Sequence, residues 1–392
     1  MLNTPLTSPQ TEQDWESIRQ MHFNIKRFNL NPGTLGTPSS LHREATYARE
    51  KEWTGYPVGL YQEGRKALQN ARQHAEALWP NDTHNIAISL PATTMMNLWA
   101  HAFAHHWEQK DKIRVLSSKH AHYGAISSFQ NHPKYQVHFL SEAELDSLDA
   151  FSKRVQEEKP DLAIFDHITY TLGKKNPVQD WYAQIKSNNP EAIVLLDVVQ
   201  SVGVCPLPFS SGDILVGSAH KWLCGPWEVG FTWLRKDLAH TLPKISWMDG
   251  ALDGDSQVTQ YELAGGQNFS KYIQLEMTLE LHRKIGLEKI YQRSQELAKY
   301  FCENYIPAQD KQTSIRVQQS EGSTILLHFE KGDSYPVYKH WNEIGIHVKC
   351  IKKDLSDTHQ LNLLRLGFPF YENTKRLDQL FKIFEKERQK SA

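Results

Sequence analysis

"GSAHKWLCGPWEVGF" (Gly217–Phe231) sets a lysine, Lys221, directly after a histidine and just past the apolar run "ILVGS", then closes it in with Trp222 and the Gly225–Pro226 turn. Lysine is ordinarily a solvated surface residue. Alone, Lys221 reads equally well as a strand-end lysine whose stem lies on apolar surface while its amine reaches water. What decides between the readings is the company it keeps at the ends of the other apolar runs.

Seven such runs follow one another: Asn85–Pro91, Lys112–Ser118, Tyr135–Leu140, Asp161–His167, Ala192–Asp197, Gly212–Ser218 and Val229–Arg235. They are short and nearly all apolar, and segments of helical periodicity such as "TTMMNLWAHAFAHHWEQ" and "VQDWYAQIKSNN" lie between them. That alternation predicts an α/β fold, a mainly parallel seven-stranded sheet with helices on both faces. The long amphipathic stretch Lys271–Tyr305, broken near Gly286, then leads to two further strands, "STILLHF" and "GIHVKCI", and a closing helix. The expected organisation is an N-terminal arm (1–45, read as loop), a large domain (46–270), and a linking helix with a smaller C-terminal α/β domain (271–392).

In open parallel sheets, ligands sit beyond the carboxyl ends of the strands. Three sets of polar residues fall there: Thr93 and Thr94 after the first run, Asp197 ending the fifth, and Lys221 after the sixth. Asp197 alone reads more readily as a turn or helix-capping residue after a strand. Together they are the parts that pyridoxal 5'-phosphate needs. A lysine forms a Schiff base, a carboxylate keeps the pyridine nitrogen protonated so that the ring accepts electrons, and hydroxyls at a helix start hold the phosphate. Partial burial beside a cationic ring lowers the lysine pKa and makes its amine a usable base.

Composition agrees with a soluble globular enzyme. The 392 residues are 40% hydrophobic and 23% charged, with a formal net charge of −1, which gives no electrostatic case for nucleic acid or an anionic membrane. Cys205, Cys224, Cys302 and Cys350 are scattered, which argues against a disulfide framework and fits a reducing, cytoplasmic setting. The polar opening "MLNTPLTSPQTEQDWESI" shows no secretory signal, and no run approaches a membrane span. His101 and His105 have zinc spacing but no HExxH glutamate, so helix-surface histidines are the expectation and no metal site is assigned. "GYPVGLYQEGRK" lacks phosphate-loop spacing and reads as a turn into a helix.

"DVVQSVG" (Asp197–Gly203) followed by "GSAHKWLCGPWEVGF" resembles the aminotransferase class V family of pyridoxal-phosphate enzymes, of fold type I. Further stretches are similar to its isopenicillin-N-epimerase-like branch: "FNLNPGTLGTP" to the opening loop, "ATTMMN" to the phosphate loop, "GGQNFSKY" to the domain-linking motif and "LLRLGFPFYENTKRLDQL" to the arginine strand and last helix. The resemblance implies that Lys221 carries the cofactor and moves protons at Cα, that Asp197 meets the pyridine nitrogen, and that Gln200 sits by the phenolic oxygen. It implies that His120, rather than His122, stacks on the ring, and that Thr93, Ser218 and His220, helped by Thr94, hold the phosphate. Arg365, with Asn31, would take the substrate carboxylate.

A homodimer with sites near the subunit interface, and a small-molecule amino acid substrate, come with the resemblance. The implied reaction is amino transfer or epimerisation at Cα; the alternative is carbon–sulfur β-elimination, because "KHAHY" also resembles a stretch of lyases from thiol-histidine biosynthesis. From other classes, a non-catalytic cofactor-binding protein and a zinc hydrolase stand as remote alternatives. The sequence departs from the family at Gly266, where a threonine is usual, and at Trp227, which is expected to narrow the pocket. Cys350 falls several residues before the position of the family's persulfide-forming cysteine, where Asp354 stands.

Overall fold

The computed structural model describes residues 8–239, 241, 242, 262, 267–307, 313–320, 323–356 and 359–391; Gly266 lies outside them. The chain opens with α1 (Glu12–His22), β1 (Phe28–Asn29), α2 (Ser40–Glu52) and α3 (Pro57–Leu78). There follow β2 (His84–Ser89), α4 (Ala92–His106), β3 (Ile113–Ser118), α5 (Tyr123–Gln130), β4 (Tyr135–Leu140), α6 (Glu142–Asp146) and α7 (Leu148–Glu158). Next come β5 (Leu162–Asp166), α8 (Val178–Asn188), β6 (Ile193–Asp197), β7 (Ile214–Ser218) and β8 (Gly230–Arg235). The remainder comprises α9 (Ser270–Ile285), α10 (Leu287–Asn304), β9 (Ser314–Gln319), β10 (Thr324–Lys331), α11 (Ser334–Glu343), β11 (Ile346–His347), β12 (Lys349–Ser356), β13 (His359–Gly367) and α12 (Thr374–Ser391).

All seven expected strands form one sheet, in the order β2-β8-β7-β6-β5-β3-β4, parallel except for β8, which opposes both its neighbours. Period-2 alternation explains why these runs carry almost no polar residue. Leu116, Phe165, Leu196, Leu215 and Trp233 point into a core shared with α3, α7, α8 and α9. Val115, Ile164, Leu195, Val216 and Leu234 point into a second core under α4 and α5. Both faces are covered, so both sets must be apolar.

The break at Gly286 separates two packing roles. Gly286 has φ +95, a conformation that favours glycine. Before it, Tyr272, Leu275 and Leu279 of α9 join the core of the large sheet. After it, Leu297, Ala298 and Phe301 of α10 join the core of a four-stranded antiparallel sheet, β12-β13-β10-β9, together with Leu377 and Leu380 of α12.

The stretch before residue 45, expected to be loop, departs from that expectation. A capping box starts α1: the Thr11 hydroxyl accepts from the Asp14 N–H at 3.2 Å, and the Asp14 carboxylate accepts from the Thr11 N–H at 2.8 Å. Trp15 and Ile18 then bury against Leu281, Ile285 and Phe370. Further on, β1 pairs in parallel with β11, which draws residues 30–36 across the carboxyl edge of the large sheet. Among the described residues, no helix is long and apolar enough to cross a membrane.

Candidate active site

The carboxyl ends of β2, β3, β5, β6 and β7 face a cavity of ≈ 690 Å³, closed from the other side by β12 and β13. Thr93, His122, Tyr170, Gln200, Lys221 and Arg365 are on its wall. No aspartate or glutamate lines it among the described residues.

Lys221 follows β7 in a tight turn in which the Cys224 N–H donates to the Lys221 carbonyl at 2.9 Å. Burial is the main influence on its amine and brings the pKa down to about 8; the Arg365 charge acts in the same direction, and Asp197 opposes both. At that value an appreciable fraction of the amine is unprotonated near neutrality, which is what nucleophilic attack and proton abstraction need. Asp197 ends β6, with its Oδ1 accepting from the Val199 N–H at 2.9 Å. Burial raises its pKa, while the Lys221 charge and the Val199 bond hold it back. A buried carboxylate in this position is stabilised by any further cation brought to it.

The arm reaches the same place. The Gly36 N–H donates to the His220 carbonyl at 2.8 Å. Gln200 donates to the Gly33 carbonyl at 2.9 Å and accepts from the Trp222 indole N–H at 2.9 Å, so its amide is fixed between the arm and the residue after the lysine. Arg365 comes from β13, buried between the two sheets. Its guanidinium donates to the Tyr170 carbonyl and, at 3.4 Å, to Asn31 Oδ1. Burial brings its pKa down to about 10, and no acid among the described residues pairs with it. Asn31 therefore stands behind the arginine.

At the opposite end, α4 begins after Pro91, whose carbonyl accepts from the Thr94 and Met95 N–H groups, and Thr93 lies in that first turn at the cavity wall. Ser218 accepts from the Ala92 N–H at 3.0 Å and ties the helix start to β7. Thr94, the next residue along, is exposed and is not part of the lining. His220 lines the cavity with Nδ1 buried and without a hydrogen-bond partner among the described residues; burial pushes its pKa down to about 4, so it is neutral.

The two candidate histidines separate. His120 turns away: the ring nitrogens bond the Thr171 hydroxyl at 3.3 Å and the Glu142 carboxylate at 3.1 Å. His122 is the one on the cavity wall, at the N-cap of α5 and edge-on to Tyr170 with centroids 4.8 Å apart. A Ser118-centred turn makes the difference, because the His120 N–H donates to Ser118 Oγ and the Ala121 N–H to the Ser118 carbonyl. Trp227 does not narrow the pocket: it is 62% exposed and outside the lining. Cys350 borders the cavity, but its Sγ lies 3.4 Å from Ser334 Oγ, on the face of β12 that packs into the core under the helices. Tyr170, Gly33 and Gly36 also belong to the site; the two glycines stand in "NPGTLG", a stretch that carries no signal of what they approach.

A half-buried lysine of depressed pKa, a buried carboxylate, a helix start at the cavity wall and a buried histidine nitrogen without a partner among the described residues are the constellation of a pyridoxal-phosphate enzyme. The chain belongs to the aminotransferase class-V family, whose pattern matches residues 57–380. That family uses pyridoxal phosphate, and the residues present fit it. Over 322 residues, 76% of either chain, the protein is 26% identical to a probable cysteine desulfurase of Xylella fastidiosa (strain 9a5c). Its fold is similar to that of a cysteine desulfurase from Thermococcus onnurineus NA1, with a TM-score of 0.77 at 15% identity, covering 97% of this chain and 98% of that one. It is also similar to the cystine C–S lyase C-DES solved with its product cysteine persulfide, with a TM-score of 0.74 at 18% identity, covering 91% and 97%.

Proposed function

We propose that this protein removes the Cα proton of an amino acid and expels a sulfur-bearing β-substituent, a carbon–sulfur β-lyase. The carrying observation is that Lys221 and Arg365 open into one cavity whose one cysteine among the described residues, Cys350, has its Sγ against Ser334 Oγ at 3.4 Å. Cys350 faces Ser334, and Cys224, pushed up to about 12 by burial, is inert. Without a protein thiol to accept sulfur, the sulfur leaves with the substrate's own substituent. The names of the relatives support carbon–sulfur chemistry without a claim on which kind.

Bound pyridoxal phosphate supplies the electron sink for the Cα carbanion. The chain supplies the rest. Arg365 takes the α-carboxylate in a bidentate fork and so sets which Cα bond is presented for cleavage. Lys221 Nζ takes the Cα proton; the Cβ–S bond then breaks with its electron pair on sulfur, and water completes the balance to thiol, pyruvate and ammonia. Asp197 would hold the pyridine nitrogen protonated, Gln200 would face the phenolic oxygen, and Thr93, His220 and the α4 start, tied by Ser218, would receive the phosphate. In this arrangement His122 takes the stacking role expected of His120.

Amino transfer or epimerisation in the isopenicillin-N-epimerase-like branch uses the same residues, since each begins with that proton passing to Lys221. The division at 45 and 270, the homodimer and the cytoplasmic setting go with either reading. Incubation with cystine and S-alkylcysteines should release pyruvate, ammonia and thiol or persulfide in equal amounts, and Lys221→Ala should lose both turnover and borohydride-fixed cofactor. A keto-acid-dependent exchange of amino groups, or inversion at Cα with solvent deuterium uptake, without thiol release would replace the lyase reading. Sulfane sulfur on Cys350 would replace it with desulfuration.

A further inference from the structure

Lys349 stands directly across the β12–β13 ladder from Arg365, and both residues are on the cavity wall. Side chains so opposed have Cβ atoms roughly 4.5–5.5 Å apart, and like charges there repel. Both cations are also partly or wholly withdrawn from water. Burial first, and then the Arg365 charge, lowers the Lys349 pKa.

Its strand neighbour Lys352 has a partner, Asp333, at 2.6 Å. Among the described residues, Lys349 has no acid within ion-pair distance and no acid lines the cavity. Two adjacent, desolvated cations are costly until an anion arrives. A single α-carboxylate uses both oxygens on the arginine fork and neutralises one charge. The lysine charge next to it remains unmatched.

We propose that Lys349 receives a second carboxylate, carried on the substrate's side chain, so that the enzyme selects S-substituted cysteines whose substituent ends in an acid. This rests on reading Arg365 as the α-carboxylate site. The strand pattern supports it: Lys349 shares its face of β12 with Ile351, which packs with Leu363 and Tyr170. The acid group would thus be met by a half-buried cation on a strand face shared with Ile351 and Leu363, where a point charge discriminates more strongly than in open water.

The test compares S-carboxymethyl-L-cysteine with the near-isosteric amide S-carbamoylmethyl-L-cysteine, using the holoenzyme and its Lys349→Gln variant. Calorimetric Kd and pyruvate release are both measured. The wild type should favour the acid in Kd by about tenfold or more, and the variant should bring the acid-to-amide ratio close to one. A preference that persists in Lys349→Gln, or a wild type with no preference, overturns the proposal. If the Kd preference depends on Lys349 but neither compound yields pyruvate, the second acid site stands and the lyase reading falls.

Discussion

Gly36 sits against the carbonyl of Lys221: a Cβ at residue 36 would stand 1.9 Å from that oxygen. Real carbons do not approach so closely, so even an alanine side chain there would push the arm off the lysine turn and break the 2.8 Å bond from the Gly36 N–H to His220. The arm in turn holds Gln200 and, through Asn31, Arg365. Gly36→Ala should therefore lower cofactor retention and raise KM, with a stability loss of about 1–3 kcal/mol. Holoenzyme absorbance after dialysis, beside a thermal melt, checks it; full retention with normal KM would show that the arm moves independently of the site.

Arg365 has a fixed direction and no acid partner among the described residues. Arg365→Lys keeps the charge and removes the fork. For α-carboxylate substrates KM should rise roughly 10²-fold, corresponding to about 3 kcal/mol of charge-assisted bonding, with much less effect on the decarboxylated amines. Steady-state kinetics on both substrate types decide it. Equal losses would make Arg365 a support for the junction between the sheets.

The strands were legible because being buried on both faces leaves an uninterrupted apolar run, and Lys221 and Asp197 because they terminate two such runs. What escaped depends on turns and on faces. α1 carries few buried apolar residues, Trp15 and Ile18 among them, so its periodicity is faint and its capping box is the better signal. Spacing favoured His120, but the Ser118 turn rotates it toward Thr171 and brings His122 to the cavity instead. Cys350 and Lys349 are adjacent in sequence and on opposite faces of β12; only the pairing with β13 tells which one shares a face with Arg365.

The two histidines can be told apart by substitutions that keep the cap. His122 Nδ1 accepts from the Gly124 N–H at 3.0 Å, a bond that asparagine can replace at an N-cap. His122→Asn should lower kcat by about tenfold or more and shift the absorbance of bound pyridoxal phosphate, since it removes the ring but leaves the helix start satisfied. His120→Asn should instead lower the melting temperature by breaking the links to Thr171 and Glu142, with the cofactor spectrum kept. A spectral change in His120→Asn alone would return the stacking role to His120.

The last prediction concerns pH and lies away from the cavity. His22, His42 and His282 are buried where α1, α2 and α9 meet, with the His22 and His42 rings 5.0 Å apart. Burial, reinforced by their mutual repulsion and by Lys284, pushes their pKa values down to about 4, 3 and 4. All three are thus neutral in the folded protein at pH 5, whereas an unfolded histidine titrates near 6.5. Below that value the unfolded chain binds more protons than the folded one, so stability is intact above about pH 6.5 and falls as pH drops toward 4. His282 is the cleanest probe: its Nδ1 bonds the Thr278 carbonyl at 2.9 Å, and its Nε2 is buried without a partner among the described residues. His282→Met should remove one of the three titrations and reduce the stability lost between pH 7 and pH 5 by about 1–2 kcal/mol. Urea unfolding at the two pH values measures this directly. An unchanged pH dependence in His282→Met would mean that the acid sensitivity originates elsewhere in the fold.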